Sequence, residues 1–176
     1  MYIVKGVINL RKTLNDAHSI LEKHGIVHAL IGGFALAVYG QHRATVEIDF
    51  LADGTRKETI KSALLENGFT LTHESTEVLQ FSGNGFVDVL LANRPLSQEM
   101  LKNAMKNAEL GVYVLRAEDI IALKIQAYKN DPKRELQDKA DIQKLLQLPS
   151  LDFTQIKKYS DLFGEGAVTE QLRTSK

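Results

Sequence analysis

The run Ile31-Gly32-Gly33-Phe34-Ala35-Leu36, followed shortly by Val46-Glu47-Ile48-Asp49-Phe50, restricts this chain more than any other segment. A glycine pair at the end of an apolar strand lets the backbone approach a bound group and leaves amide N–H groups available. Glu47 and Asp49 stand at i and i+2 of a strand, so both carboxylates leave one face of a sheet. Clustered oxygens suit a divalent cation, and free N–H groups suit a phosphate.

Periodicity supplies the surroundings of that run. Leu10, Leu14, Ala17 and Leu21 recur at helical spacing and predict a helix over about residues 7–24, closed by Gly25. A buried strand over 26–31 leads into the Gly32-Gly33 turn, and 34–39 forms a short helix stopped by Gly40. A strand over 45–51 alternates cleanly, with Val46, Ile48 and Phe50 on one face and Thr45, Glu47, Asp49 and Leu51 on the other. Thr55-Arg56-Lys57-Glu58 reads as a capping box that opens a helix to about Asn67, ended by Gly68.

The strands 78–81 and 86–91 read as a hairpin around Gly83-Asn84-Gly85. Ser97 caps a helix to about Asn107, and 112–115 is a short strand. Beyond this point the pattern becomes helical over 118–129 and 132–147, with Asp131 as N-cap and Pro132 in the first turn. Asp152 caps a last helix to about Phe163, leaving a loose polar tail. The expected fold class is α/β (α+β), a mixed sheet flanked by helices. The expected organisation is a core over 1–115, a helical segment over 116–163 and a tail over 164–176.

Composition narrows the function classes. With 176 residues the chain is long enough for a substantial core. The 22 basic and 22 acidic residues balance, which argues against a protein held to nucleic acid by bulk charge. Cysteine is absent, so disulfides and thiolate metal sites are excluded. No apolar run reaches the roughly 20 residues of a membrane span. The first residues lack the apolar segment of a signal peptide, and a cytoplasmic location is the expectation. The five histidines show no metal-ligand spacing.

Asp88 adds a further carboxylate. It is the one charge in Phe86-Val87-Asp88-Val89-Leu90-Leu91, and an unpaired carboxylate in a core strand costs several kcal/mol. It needs a cation, a donor or a metal, unless the strand lies at an edge and Asp88 faces water. Lys124 either meets an anion or snorkels to water along its helix. Arg43 either binds phosphate or pairs with a neighbouring carboxylate. Asp138 and Asp141, at i and i+3 of one helical face, are expected to pair with lysine or arginine of their own helical pair.

The ordered set of Gly32-Gly33, Arg43-x-Thr45-x-Glu47-Ile48-Asp49-Phe50 and Val87-Asp88-Val89 resembles the DNA polymerase β-like nucleotidyltransferase superfamily. Within it, Gly-Gly-Phe-Ala-Leu followed by Arg-x-Thr-x-Glu-x-Asp is most similar to the AbiEii-like branch found in toxin–antitoxin and phage-defence systems. The likeness continues through Ala122-Leu123-Lys124-Ile125-Gln126-Ala127 to Arg134, Asp138 and Asp141. It departs at Glu47, where the family usually carries aspartate, and in the shortness of the chain.

The resemblance implies a nucleotidyltransferase core over residues 1–115. It implies Glu47, Asp49 and Asp88 as catalytic residues and as ligands of two Mg²⁺ or Mn²⁺ ions. Gly32, Gly33, Arg43, Thr45 and Lys124 would bind the nucleotide. A nucleoside monophosphate would pass from an NTP to a hydroxyl of tRNA or of a partner protein, with a cognate toxin or antitoxin as a possible companion. The alternative it leaves open is a catalytically degenerate nucleotide- or partner-binding regulator.

Overall fold

The computed structural model describes residues 9–175. Residues 7 and 8, with which the first helix was expected to begin, lie outside them, as does the segment read for a leader. The chain divides into two compact units. One comprises described residues 9–37 together with His42–Leu115; the other comprises Val38–Gln41 and described residues 116–175.

The first unit is built on a seven-stranded mixed sheet. Its strands are β1 (His28–Ile31), β2 (Glu47–Asp53), β3 (Thr70–Glu74), β4 (Val78–Ser82), β5 (Phe86–Ala92), β6 (Met105–Lys106) and β7 (Tyr113–Val114). Their order across the sheet is β3-β4-β5-β2-β1-β7-β6. β2 runs parallel to β5 and antiparallel to β1, while β4 and β5 form an antiparallel hairpin. Helices α1 (Leu10–Lys23) and α4 (Pro95–Lys102) pack on β2 and β5, and α3 (Lys57–Glu66) packs on α1 and β3. Ile48, Phe50, Val87 and Val89 are fully buried at alternate positions of β2 and β5.

Local chemistry explains where elements begin and end. Asn9 caps α1 by accepting from the Lys12 amide. At its other end, Gly25 N–H bonds Glu22 O and Ile26 N–H bonds Leu21 O, a Schellman closure with Gly25 at φ +64. The expected capping box at Thr55 is absent. Asp53 instead accepts from the Thr55 amide and hydroxyl, closing a one-turn 3₁₀ helix over Gly54–Arg56 before α3. Ser97 sits inside α4, where its hydroxyl accepts from the Arg94 amide, and the helix ends at Lys102 rather than Asn107.

Three further expectations are corrected. β2 starts at Glu47, so Thr45 and Val46 precede it and Val46 is exposed. Gly32 and Gly33 are not a separate turn; they form the first turn of α2 (Gly32–Val38). β3 was not anticipated at all. It is a largely exposed edge strand with a register irregularity between Leu71 and His73.

The second unit is helical: α5 (Ala117–Asn130), α6 (Glu135–Leu145), α7 (Phe153–Leu162) and α8 (Gly166–Thr174). Asp131 caps a 3₁₀ turn over Pro132–Arg134, and Asp152 caps α7 through the Gln155 amide. Ile120, Ile121, Ile125, Ile142, Leu145, Ile156 and Tyr159 fill its core. The region expected to be a loose tail instead forms α8, which buries Thr169 and packs on α6 and α7. Among the described residues, no helix is long and apolar enough to cross a membrane.

His28, buried against the half-buried His18, gives the first unit a pH-dependent stability. His28 Nδ1 meets Ile26 O at 2.7 Å, and its Nε2 lies 2.8 Å from His18 Nδ1. Burial pushes the His28 pKa below 6.5, opposed by the Ile26 carbonyl; the His18 charge lowers it further, and Glu22 works the other way. At neutral pH His28 is uncharged when folded and mostly uncharged when unfolded. On acidification below 6.5 the unfolded chain takes the proton first, so stability falls until the lowered folded pKa is passed. Melting temperature is therefore expected to decline from pH 7 to pH 5 on the order of that linkage. The slope should be smaller in His28→Leu, and an equal slope in both proteins would refute the assignment.

Candidate active site

The sheet register brings the predicted carboxylates together. In-register pairing places Ile31 of β1 opposite Asp49 of β2, Asp49 opposite Asp88 of β5, and Asp88 opposite Gln80 of β4. Glu47 leaves the same face of β2 as Asp49, at the strand's first position. One carboxylate oxygen from each of Glu47, Asp49 and Asp88 lies within 4.8 Å of the others. Glu47 is exposed and the two aspartates are half-buried.

Asp88 does not sit on an edge strand. β5 lies between β4 and β2, so the edge-strand alternative for Asp88 fails, although its side chain is only half-buried. Its carboxylate is satisfied in part by Gln80, whose Nε2–H donates to Oδ2 at 2.6 Å.

The glycine pair completes the arrangement. Gly32 follows Ile31 directly and adopts φ +66, in the left-handed region that a side chain disfavours. A Cβ at Gly32 would fall 2.0 Å from Asp49 Oδ2, so Asp49 occupies the space that any other residue would fill. A Cβ at Gly33 would meet the Thr45 Cβ at 3.0 Å. Both glycines lie in the first turn of α2, whose amides have no partner within their own helix.

Thr45 has a different place from the one its alternation implied. Lying before β2, it bonds the Glu47 backbone through Oγ1, which sits 3.2 Å from Glu47 O and 3.4 Å from Glu47 N. It thereby braces the strand start that carries Glu47. Arg43 is exposed in the segment between α2 and β2.

Lys124 belongs to the second unit, on α5. It neither snorkels nor faces water: its side chain is 7% exposed, and Nζ lies 2.9 Å from Asp138 Oδ1 and 2.7 Å from Asp141 Oδ2. Arg134 adds a contact to Asp138 Oδ2 at 3.1 Å, and Gln137 donates to Asp141 Oδ1 at 3.0 Å. Asp138 and Asp141 thus pair within their helical unit.

An oxygen-only triad of carboxylates is the donor set that hard divalent cations such as Mg²⁺ and Mn²⁺ prefer. The space left by Gly32 keeps Asp49 within that set. The residues present fit a cation of this class.

No protein-family model matches the chain, and no curated protein matches it. Solved structures do. The antibiotic-resistance factor ANT(2'')-Ia aligns over 95% of this chain and 91% of its own, with a TM-score of 0.59 and 16% identity. An antigenic nucleotidyltransferase-like protein from Paracoccidioides brasiliensis aligns over 95% and 93%, with a TM-score of 0.60 and 19% identity. The chain has the nucleotidyltransferase fold. The lincosamide antibiotic adenylyltransferase LnuA, solved with lincomycin bound, shares the fold over 77% of this chain and 96% of its own, at a TM-score of 0.56 and 15% identity. The carboxylates that this fold brings together, and the glycines beside them, are ones the sequence singles out; Gln80, which bonds Asp88, is not. A signal was present, because counting outward from the Gly83-Asn84-Gly85 turn puts residue 80 opposite residue 88.

Proposed function

We propose that this protein is a metal-dependent nucleotidyltransferase that moves a nucleoside monophosphate from an NTP to an acceptor hydroxyl. The observation that carries the reading is the meeting of Glu47, Asp49 and Asp88 beside a glycine that only glycine can occupy. Glu47, Asp49 and Asp88 would hold two Mg²⁺ or Mn²⁺ ions, which when bound neutralise triphosphate charge and favour an ionised acceptor oxygen. Gly32 and Gly33 would present backbone amides to the phosphates, with Arg43 adding positive charge and Thr45 keeping the β2 start in place. Lys124 is assigned to the nucleotide as well, on the resemblance alone. The acceptor oxygen bonds the α-phosphorus, the bond to pyrophosphate breaks, and the hydroxyl proton passes to the Asp88 carboxylate.

For the acceptor we propose tRNA or a partner protein, in keeping with the AbiEii-like motif order and a role in a toxin–antitoxin pair. ANT(2'')-Ia has been solved with adenylyl-2''-tobramycin, so a small antibiotic hydroxyl belongs in the same assay.

The experiment is transfer of label from each α-labelled NTP, with Mg²⁺ or Mn²⁺, into total tRNA, cell protein and aminoglycosides. Wild type is expected to label one pool, and Asp49→Ala to label none. Label in no pool from wild type would overturn the transferase reading. Glu47→Asp in the same assay addresses a degenerate, regulatory site. Retracting the carboxylate by roughly 1.5 Å is expected to lower transfer by about 100-fold; a sharp rise would favour the regulator.

A further inference from the structure

We infer that Gln80 is a positioning residue for Asp88, an assignment that rests on the proposed cation-dependent transfer. The β4–β5 hairpin sets Gln80 directly across from Asp88, and the parallel β2–β5 pairing sets Asp88 directly across from Asp49. Gln80 Nε2 donates to Asp88 Oδ2 at 2.6 Å, and both residues are half-buried.

The terminal torsion of an aspartate is broad and roughly two-fold, so an unheld carboxylate can turn either oxygen toward a neighbour. The bond to Oδ2 removes that freedom. It leaves Oδ1 as the oxygen not held by Gln80, available to a cation or to an acceptor proton. A carboxamide does this without adding charge, whereas a lysine or arginine at this position would compete with the cation for the carboxylate. Outer partners that orient a ligating carboxylate in this way control both cation affinity and turnover. Core packing does not call for a glutamine here, because the alternate neighbours Leu79 and Phe81 fill the core from the other face of β4.

Two variants separate orientation from packing and from charge. Gln80→Met keeps length and bulk and removes the donor; Gln80→Glu keeps shape and adds negative charge. Wild type and both variants are titrated with Mn²⁺, read by the paramagnetic resonance of the free ion, and followed by thermal melting and steady-state label transfer.

In Gln80→Met, Mn²⁺ affinity and kcat are each expected to fall by about 10–100-fold. The KM for NTP and the melting temperature should change little. In Gln80→Glu, kcat is expected to fall although the added charge holds or raises Mn²⁺ affinity. Wild-type affinity and kcat in Gln80→Met would overturn the inference, as would a lowered melting temperature with unchanged Mn²⁺ affinity. So would full turnover in Gln80→Glu. The transferase reading fails separately: wild type that binds Mn²⁺ and transfers no label leaves the affinity difference as the measure of Gln80. Wild type that binds no Mn²⁺ overturns both.

Discussion

Gly32→Ala is expected to lower nucleotidyl transfer by about 100-fold or more. Two independent constraints meet at this residue. Its φ of +66 disfavours any L side chain by roughly 1–2 kcal/mol. The added methyl would also lie 2.0 Å from Asp49 Oδ2 and 2.6 Å from Asp49 Cγ, so Asp49 must leave its position. A displacement near 1 Å of a group at the reacting centre is enough for a loss of about 100-fold. Gly40→Ala separates the two effects, because Gly40 has φ +79 but nothing within 4 Å of an added Cβ. That variant is expected to lose about 1–2 kcal/mol of stability and to retain transfer. Comparable activity losses in both variants would show that backbone strain, not displacement of Asp49, is responsible.

Lys124→Met is expected to destabilise the protein by about 3–5 kcal/mol, seen as a fall in melting temperature of about 6–20 °C. The methionine fills similar space, so packing is largely kept. What it removes is the cation between Asp138 and Asp141, whose side chains are each 2% exposed. Two buried carboxylates then lose the cation they share, while Arg134 still touches Asp138 and Gln137 still donates to Asp141. Replacing the cluster together, as Lys124→Met with Asp138→Leu and Asp141→Leu, should recover most of the loss, since burying no charge avoids the desolvation cost. A single variant that melts like wild type would show that the cluster contributes nothing net to stability. A single variant that melts like wild type but loses transfer would place Lys124 on the nucleotide instead.

Much of this was legible in local sequence. The i, i+2 spacing of Glu47 and Asp49 placed both on one face, and the lone charge in an apolar run marked Asp88. Gly25, Asp131 and Asp152 signalled their helix ends because a cap acts over a few residues. Other features left no such trace. β3, Thr-Leu-Thr-His-Glu, carries a single apolar residue because an edge strand needs little burial. α8 holds its place by packing on α6 and α7, so its polar composition resembled a tail. Thr55 looked like a cap, but Asp53, two residues earlier, takes the same amide. The i, i+3 spacing of Asp138 and Asp141 did point to a cation of their helical pair, but not to which one, because Lys124 comes from the other helix.

The parallel register of β2 and β5 also has a kinetic meaning. β4 and β5 can zip locally around a short turn, whereas β5 reaches β2 only after the intervening chain has closed a long loop. Loop closure of that length slows non-local pairing relative to hairpin formation. Before it happens, Asp88 and Gln80 already face each other in one fragment while Asp49 waits in another. The carboxylate cluster is thus a late product of folding, and a nascent or partly folded chain carries every one of its residues before they meet.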